Sequence, residues 1–411
     1  MENNTERVVK VPKILLPKKG IDMEKWATIA CDQFTSTPEY WERLVAFVGD
    51  SPSTLKLTCP EIYLSRDVSG EVKKVQAEMR KYLDEGIFDE REGFVLVERQ
   101  VGNDYRIGLM AAIDLDAYDW HRVRTPIRAT EDTLMERLPV RIAIRKGAEI
   151  EAPHAIILMD DREKDIIEPL YAARDGFEKL YDFELNMGGG HIRGWLVPRL
   201  REQEILDKIA ALNTPELQIE KYGSDAGIML AVGDGNHSVA TAKVCYEELK
   251  QSLTGEQQKT CPERYMLVEL VNLHGGGMEF SPIHRYFKVR DDEFVAKLKA
   301  SLYGDGRLKI MYKGGEEYIK CPENAGTAIT EIQRLVEAYI KETGAEIDYV
   351  HDVIHLKECV DKSDGMGIVM PAFSRSDLFG YVVNVGNLPK KAFSIGEAEH
   401  KRYYLECRKI K

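Results

Sequence analysis

The chain has 411 residues, which is long for one hydrophobic core and predicts two or three domains. Its composition is that of an ordinary soluble globular protein. The formal net charge of −12 argues against nonspecific binding to nucleic acid or to an anionic membrane, because both require a basic surface. A basic pocket can still exist locally. Apolar segments fall short of the roughly 18 residues that span a bilayer.

The beginning of the sequence, "MENNTERVVKVPK", lacks the apolar stretch of a signal peptide, so we expect a cytoplasmic protein without a membrane partner. The seven cysteines contain no Cys-x-x-Cys pair, and we interpret them as reduced, mostly packed thiols. The first long helix is predicted after Ser36 or Thr37, either of which could cap it, with Pro38 in its first turn. A second helix, "EVKKVQAEMRKYLDEG", ends near Gly86.

Two β-hairpins are predicted next. "GFVLVERQVGNDYRIGLMAAIDL" joins two apolar runs through a Gly-Asn-Asp turn, and "LYDFELNMGGGHIRGWLVP" has a glycine cluster at its turn. Between them lies an arginine-rich segment that begins at Arg122. Arg137, Arg141 and Arg145 are four residues apart and would share one helical face. We expect most of that face to be solvated and paired with acidic neighbours.

The most unusual stretch is "IMLAVGDGNHSVATAK", residues 228–243, in which an apolar run breaks into Gly-Asp-Gly-Asn-His before a helical pattern resumes. This pattern predicts a strand followed by a tight turn and a helix. The first N–H groups of a helix have no intrahelical partner and the helix dipole is positive there, so a phosphate or carboxylate is favoured. Gly233 and Gly235 would allow the bend and a close approach of a ligand.

The polar residues of this turn have two interpretations. Asn236 or Ser238 could simply cap the helix. Alternatively, Asp234 holds a magnesium ion that bridges phosphates, and His237 donates to a phosphoryl oxygen or transfers a proton.

Other segments offer charged groups for the same chemistry. His284 and Arg285 in "SPIHRYF", and Arg128 and Glu131 ahead of the arginine-rich helix, could bind phosphate or carboxylate or could be structural. In "ACDQFTSTPEYW", Asp32 or Glu39 could act as a general base toward a hydroxyl group, although a plain helix start explains the segment equally well. The segment "LPKKAFSIGEAEHKRYYLECRKI" reads as a terminal helix that packs through its tyrosines and leucine at residues 403–405.

Strands and helices are mixed without regular βαβ alternation, which favours an α+β fold with mixed sheets. The Asp-Gly-Asn-His and Pro-Ile-His-Arg pieces, together with "RATEDTLMERLPVRIAIRKGAEIEAPHAIIL" and the closing stretch at residues 369–410, resemble domain-of-unknown-function family 1015 over nearly the whole chain. That family implies no settled activity.

A more distant resemblance links the turn to the Gly-x-His-Arg motif of the ParB and sulfiredoxin superfamily, which includes free serine kinases. The resemblance implies that Gly235, Asn236 and His237 cradle phosphate and that Asp234 lies beside a metal or the substrate hydroxyl. Ser238 stands where the motif has arginine, so Arg285, Arg128 or Lys243 would have to supply that charge.

The resemblance also implies a ParB/sulfiredoxin-like domain over residues 1–290, with hairpins inserted at 60–200, followed by a C-terminal α/β domain over 291–411. The leading hypothesis is a magnesium- and nucleotide-dependent kinase that uses ATP or ADP and phosphorylates a hydroxylated metabolite such as serine. The alternative is a noncatalytic regulator that binds a nucleotide or a phosphorylated small molecule. DNA binding is the least favoured, since neither a basic stripe nor a helix-turn-helix is evident.

Overall fold

The apolar runs of the sequence become strands of two separate units. The computed structural model describes residues 7–35, 37–63, 68–121, 124–133 and 135–411. The first unit consists of Met1–Ala129, Thr133–Met278 and Ala398–Lys411, and the second of Thr130–Asp132 and Glu279–Glu397. The observed boundary lies at residue 279 and not at the expected residue 290. Residues 398–411, here called the returning segment, belong to the first unit. The predicted residues Ser36 and Arg122, and the side chain of Arg137, lie outside the described part.

The first unit is built on a ten-stranded mixed sheet, and the expected α+β class is confirmed. Up to residue 278 the strands are β1 Val9–Lys10, β2 Lys13–Pro17, β3 Thr28–Ile29, β4 Phe88–Glu92, β5 Val95–Val101, β6 Asp104–Asp114, β7 Tyr118–Asp119, β8 Ile127–Ala129, β9 Ile150–Glu151, β10 Ile156–Met159, β11 Glu178–Leu185, β12 Gly190–Leu196, β13 Leu230–Asp234 and β14 Tyr265–Asn272. The strand order of the large sheet is β11-β12-β5-β6-β14-β10-β13-β8-β7, and β1 pairs with one end of β6.

Both predicted hairpins are confirmed, since β5 pairs antiparallel with β6 and β11 with β12. The helices of this unit are α1 Met23–Trp26, α2 Pro38–Val48, α3 Val68–Asp84, α4 Leu138–Gly147, α5 Glu168–Ala172, α6 Glu202–Ala211, α7 Pro215–Tyr222, α8 Asn236–Lys250 and α9 Gly255–Thr260. Helix α2 begins at Pro38, as predicted, but the Thr37 side chain at its N-cap makes no capping hydrogen bond.

The central strands are apolar on both sides because the sheet carries a core on each face. Successive residues of a strand point to opposite faces. Leu96 and Val268 accordingly belong to one core cluster, whereas their neighbours Val97 and Leu267 belong to the other. Helices α6 and α8 contribute to the first cluster, and α2 and α3 to the second. Unbroken runs such as "FVLV" and "MLVELV" follow from this double burial.

The strands of the second unit are β15 Phe280–Pro282, β16 His284–Phe287, β17 Gly306–Tyr312, β18 Gly315–Cys321, β19 Ile347–Val350, β20 Met366–Val369 and β21 Phe393–Ile395, and its helices are α10 Asp292–Ser301, α11 Ala325–Thr343, α12 Val353–Asp361 and α13 Leu378–Asn384. They form a five-stranded sheet of order β18-β17-β20-β16-β19 and a separate β15-β21 pair. The β15-β21 pair joins the two ends of the unit, where Gly396 N donates to Glu279 O at 3.0 Å.

The predicted terminal helix is wrong, because the returning segment begins with a single 3-10 turn, Ala398–His400, and is extended after it. It contributes β22 Tyr403–Tyr404, which pairs with β3, and β23 Arg408–Lys409, which pairs with β9. Tyr403, Tyr404 and Leu405 are consecutive and all at most 3% exposed. A helix at the protein surface could not bury three consecutive side chains, whereas a strand enclosed on both faces can.

Charged side chains buried under the sheet hold this segment. Arg99 on β5 and Arg106 on β6 face each other in the register and are each 1% exposed. Arg99 Nη2 donates to Glu399 O and Arg106 Nη1 donates to His400 O, both at 3.1 Å. Glu269 Oε2 on β14 lies 3.3 Å from Arg402 Nε. Burial and the nearby Arg106 charge lower the pKa of Arg99 to about 10.

Among the helices that the structure describes, none combines the length and the apolar character needed to cross a bilayer.

Replacing Arg402 by leucine should destabilise the first unit by about 3–5 kcal/mol, because the buried Glu406 would lose its ion-pair partner and the buried Glu269 would keep only Arg106, at 3.5 Å. All four tryptophans lie in this unit, at 26, 41, 120 and 195, so urea unfolding followed by tryptophan fluorescence isolates the effect. Lys409→Leu is the control, since its ion pair with Glu90 is exposed and should be worth less than about 1 kcal/mol. Equal losses in the two variants would contradict this role of Arg402.

Candidate functional site

The Asp-Gly-Asn-His stretch forms a tight strand-to-helix turn, as its sequence predicts. Strand β13 ends at Asp234 and helix α8 begins at Asn236. Gly235 is the N-cap, with φ of +81°, and an added Cβ would lie 3.0 Å from the Cα of Ala155. Having no side chain, Gly235 cannot cap the helix itself. Glycine is therefore required twice here, for the left-handed conformation and for the close approach to the neighbouring chain.

The positive charge at this turn comes from Lys401, which is 167 residues after Asp234 in the sequence. Asp234 Oδ1 accepts from Gly235 N at 2.9 Å, and its Oδ2 lies 3.3 Å from the Nζ of Lys401 in the returning segment. Lys401 is 8% exposed. Beside this pair, the Oδ1 atom of Asn236 is buried and has no hydrogen-bond partner among the described residues. A buried ammonium group, a helix N-terminus and an unsatisfied amide oxygen thus meet at one place.

Asp32 belongs to the same electrostatic environment. It follows β3 and accepts a hydrogen bond from Gln33 Nε2 at 2.9 Å. Burial by itself would raise the pKa of the Asp32 carboxyl, but the pKa is lowered below its usual range by the charge of His154, the Gln33 hydrogen bond and the charges of Lys401 and Arg141. The carboxylate is therefore ionised at neutral pH. Lys401 acts on both Asp32 and Asp234.

Cys31, Tyr404 and His154 form a buried wall next to Asp32. The Tyr404 hydroxyl donates to Cys31 Sγ at 3.0 Å and accepts from Cys31 N at 3.2 Å. The His154 ring stacks edge-on against Tyr404 with centroids 5.2 Å apart. Burial, with the charge of Asp32, raises the pKa of the Cys31 thiol to about 12, so Cys31 is a neutral thiol at physiological pH.

The arginines of α4 are paired inside the protein instead of lining a solvated face. Arg141 pairs with Glu61, and Arg145 Nη1 lies 2.8 Å from Glu151 Oε2. Their side chains are 18% and 13% exposed. The expectation of a solvated face was wrong for these two residues because α4 packs against α3 and α8, which helical spacing alone does not reveal.

Three expected sources of positive charge are engaged elsewhere. Arg128 donates to the carbonyl oxygens of Thr125 and Ala226. Lys243 Nζ lies 2.5 Å from Glu247 Oε1. Arg285, which is fully buried in the second unit, donates from Nε to Gln333 Oε1 at 2.8 Å and from Nη2 to Lys391 O at 3.1 Å.

The remaining candidates divide as follows. His284 is buried in β16, accepts from Met370 N at 3.1 Å, and has its pKa lowered to about 4 by burial and by Arg285. Glu131 forms a β-bridge with Leu388 in the second unit. Glu39 is exposed in the first turn of α2. The charge of Lys401 thus acts on both Asp32 and Asp234, whereas His284, Arg285 and Glu131 belong to the other unit.

His154, Tyr404 and Cys31 lie beside Asp32 but do not stand out in the sequence, and Lys401 is only one of several basic residues in the final segment. In the sequence, His154 stands two residues before the apolar run Ile156–Met159, which is β10, and Lys401 shortly precedes the apolar run Tyr403–Leu405. The part of the chain that is described contains no group of three or more His, Cys, Asp or Glu residues able to hold a metal ion.

The comparisons with known proteins agree with the resemblance noted in the sequence. The family model "Protein of unknown function (DUF1015)" matches residues 15–362. No curated protein matches this chain.

Several solved structures are similar at low identity. One is a free serine kinase mutant in complex with ADP, with a TM-score of 0.41 and 10% identity over 73% of this chain and 92% of that chain. Another is a conserved hypothetical protein from Pyrococcus furiosus, with a TM-score of 0.37 and 10% identity over 72% and 90%. A third is SbnI with a C-terminal truncation from Staphylococcus aureus, with a TM-score of 0.36 and 9% identity over 70% and 82%.

Gly235→Ala should destabilise the first unit more than Gly223→Ala does. Both glycines are left-handed, with φ of +81° and +77°, so alanine costs about 1–2 kcal/mol of conformational energy at either position. Space for the new methyl group differs, since the Cβ at 223 meets nothing within 4 Å whereas the Cβ at 235 presses on Ala155. Urea unfolding monitored by tryptophan fluorescence measures both variants, and equal losses would show that the close approach to Ala155 carries no energetic weight.

Proposed function

This chain belongs to the DUF1015 family of proteins of unknown function, and from its own residues we propose that its first unit binds a nucleotide through the turn at Asp234–Ser238 and transfers a phosphoryl group to a hydroxyl acceptor. The single observation that carries the proposal is the meeting of Lys401 with the N-terminus of α8. Lys401 Nζ is 3.3 Å from Asp234 Oδ2, and Gly235 leaves the start of the helix open.

A phosphate fits this place for electrostatic reasons. The N-terminal end of a 15-residue helix carries a partial positive charge and donor N–H groups, and the buried Lys401 ammonium adds a full charge. The lysine also replaces the arginine that the related phosphate-binding motif would place at residue 238. Ser238 and the amide of Asn236 add short polar groups in the first turn of the helix.

Magnesium would reach the site with the nucleotide. Mg²⁺ in phosphoryl-transfer sites is usually held by one or two carboxylates together with substrate phosphates and water. Asp234 could be one such carboxylate and Asp32 the other, since the charge of Lys401 acts on both. A metal ion held by the protein alone would need more ligands than the described residues provide. When bound, the ion would neutralise charge on the phosphates.

Asp32 is the proposed base toward the acceptor. Because its pKa is lowered, it is ionised at neutral pH and can accept a hydrogen bond from a substrate hydroxyl. Glu39 is exposed on α2 and is the weaker candidate. His237 lies one residue into α8, where it could donate to a phosphoryl oxygen. The acceptor is a small hydroxylated metabolite, serine being one example.

ATP with Mg²⁺ should raise the melting temperature of the parent protein, since a ligand that binds only the native state stabilises it by mass action. Asp234→Asn should reduce that shift when Mg²⁺ is present. His237→Ala should reduce it with ATP, ADP or pyrophosphate alike. Differential scanning fluorimetry that follows tryptophan emission reports the unfolding of the first unit, because all four tryptophans lie in it.

Arg128→Lys is the matched control, because Arg128 lies on β8 next to β13 but donates to backbone carbonyls. It should leave the ATP shift unchanged. A parent protein that responds to none of these phosphates contradicts the proposal. Binding without phosphate transfer to any hydroxyl acceptor would instead favour a nucleotide-controlled regulatory protein.

Asp32→Asn and Glu39→Gln separate the two possible bases. If Asp32 is the base, Asp32→Asn should lower kcat by about 10²-fold or more, whereas Glu39→Gln should leave it within about twofold. The measurement is ADP release in the presence of candidate hydroxyl acceptors, with the ATP-induced thermal shift recorded in parallel to verify that both variants still bind nucleotide. A loss of turnover in Glu39→Gln alone would reverse the assignment.

A further inference from the structure

An apolar cavity lies next to the turn, in the first unit. It is partly open to solvent, its volume is about 140 Å³, and α4, α8 and the chain at 148–154 border it. Its apolar walls include Leu57, Met79, Val140, Ile144, Ile150 and Met266. A cavity of about 150 Å³ with aliphatic and aromatic walls holds benzene in a protein engineered to contain one. The size and the lining therefore suit a ring or a branched chain of about six carbon atoms.

The two arginines in the cavity wall are ion-paired. Arg141 pairs with Glu61, and Arg145 pairs with Glu151, although Arg145 Nη2 is buried without a hydrogen-bond partner among the described residues. Two of the wall's hydroxyl groups are also engaged, since Tyr404 donates to Cys31 and Thr241 Oγ1 donates to His237 O at 2.7 Å. A polar occupant would have to compete with these bonds, whereas a hydrocarbon group would leave them intact. Together with the mostly apolar lining, this favours an apolar group as the occupant.

One side of the cavity adjoins the proposed phosphate site. Ser238, in the first turn of α8, lines the cavity, and so do His154 and Cys31, which adjoin Asp32. A molecule with its apolar part in the cavity would therefore extend its polar end toward Asp32 and the start of α8.

We propose that this cavity binds the apolar part of the acceptor, so that the substrate is a hydroxylated molecule carrying an aromatic ring or a branched aliphatic chain. The identification of the occupant as the acceptor rests on the proposed phosphotransfer, but the binding of an apolar group rests on the cavity alone. Serine itself, with its single hydroxymethyl group, would leave the cavity unfilled.

The test uses benzyl alcohol as the probe and glycerol as a polar hydroxylated control. Benzyl alcohol should raise the melting temperature of the parent protein, followed by tryptophan emission, and glycerol at the same concentration should raise it less. Ala152→Leu places a larger side chain in the cavity wall and should weaken benzyl alcohol binding by about tenfold or more, while the ATP shift stays as in the parent.

Ala173→Leu is the matched control, because Ala173 is also half-buried but is not part of the cavity wall. It should bind benzyl alcohol like the parent. If Ala152→Leu fails to fold, Ile144→Ala enlarges the same cavity and should raise the stabilisation by 1-naphthalenemethanol relative to that by benzyl alcohol.

The outcomes distinguish this proposal from the phosphotransfer proposal. No response of the parent to benzyl alcohol, or an equal response in Ala152→Leu, overturns the cavity assignment even if ATP binds. A different result would be that benzyl alcohol stabilises the parent protein but not Ala152→Leu, while no nucleotide produces a thermal shift. That result supports the cavity assignment and rejects the phosphotransfer proposal.

Discussion

Two arginines buried face to face impose the constraint on which the first unit depends. Arg99 and Arg106 are opposite one another in the register of β5 and β6, and like charges in that arrangement repel. Burial removes the water that would screen them. Glu269 and the carbonyl groups of Glu399 and His400 provide the compensation. The sheet can therefore bury this pair only with the returning segment in place.

The same constraint brings the site together. Once residues 399, 400 and 402 are bonded beneath the sheet, Lys401 can reach Asp234, and Tyr404 is held between Cys31 and His154. The position of the lysine is thus set by its two neighbours in sequence. The returning segment contains many buried polar groups because it makes two sets of contacts. Its backbone carbonyls bind Arg99 and Arg106, and its Lys401 side chain pairs with Asp234.

Local patterns in the sequence were sufficient for the hairpins, the start of α2 and the turn after β13, because each depends on residues within about 20 positions. The ion pair of Lys401 with Asp234 and the effect of His154 on Asp32 could not be predicted from the sequence, since no periodicity connects residues more than 100 positions apart. The sequence predicts a helix that packs through Tyr403, Tyr404 and Leu405, because a short apolar run does not reveal whether it is buried on one side or, as in this strand, on both. His284 and Arg285 looked functional because the sequence does not indicate that both are buried in the second unit.

The β15-β21 pair of the second unit has a consequence for how the protein folds during synthesis. The ribosome completes residues 279–397 before it makes the returning segment, so the earlier part of the first unit must wait with Arg99, Arg106 and Glu269 uncovered. Closing a loop of that length at random costs entropy. Once the second unit has folded, Gly396 is hydrogen-bonded to Glu279, and the chain re-emerges beside the point at which it left. Folding of the second unit therefore lowers the entropy cost of docking the returning segment onto the first unit.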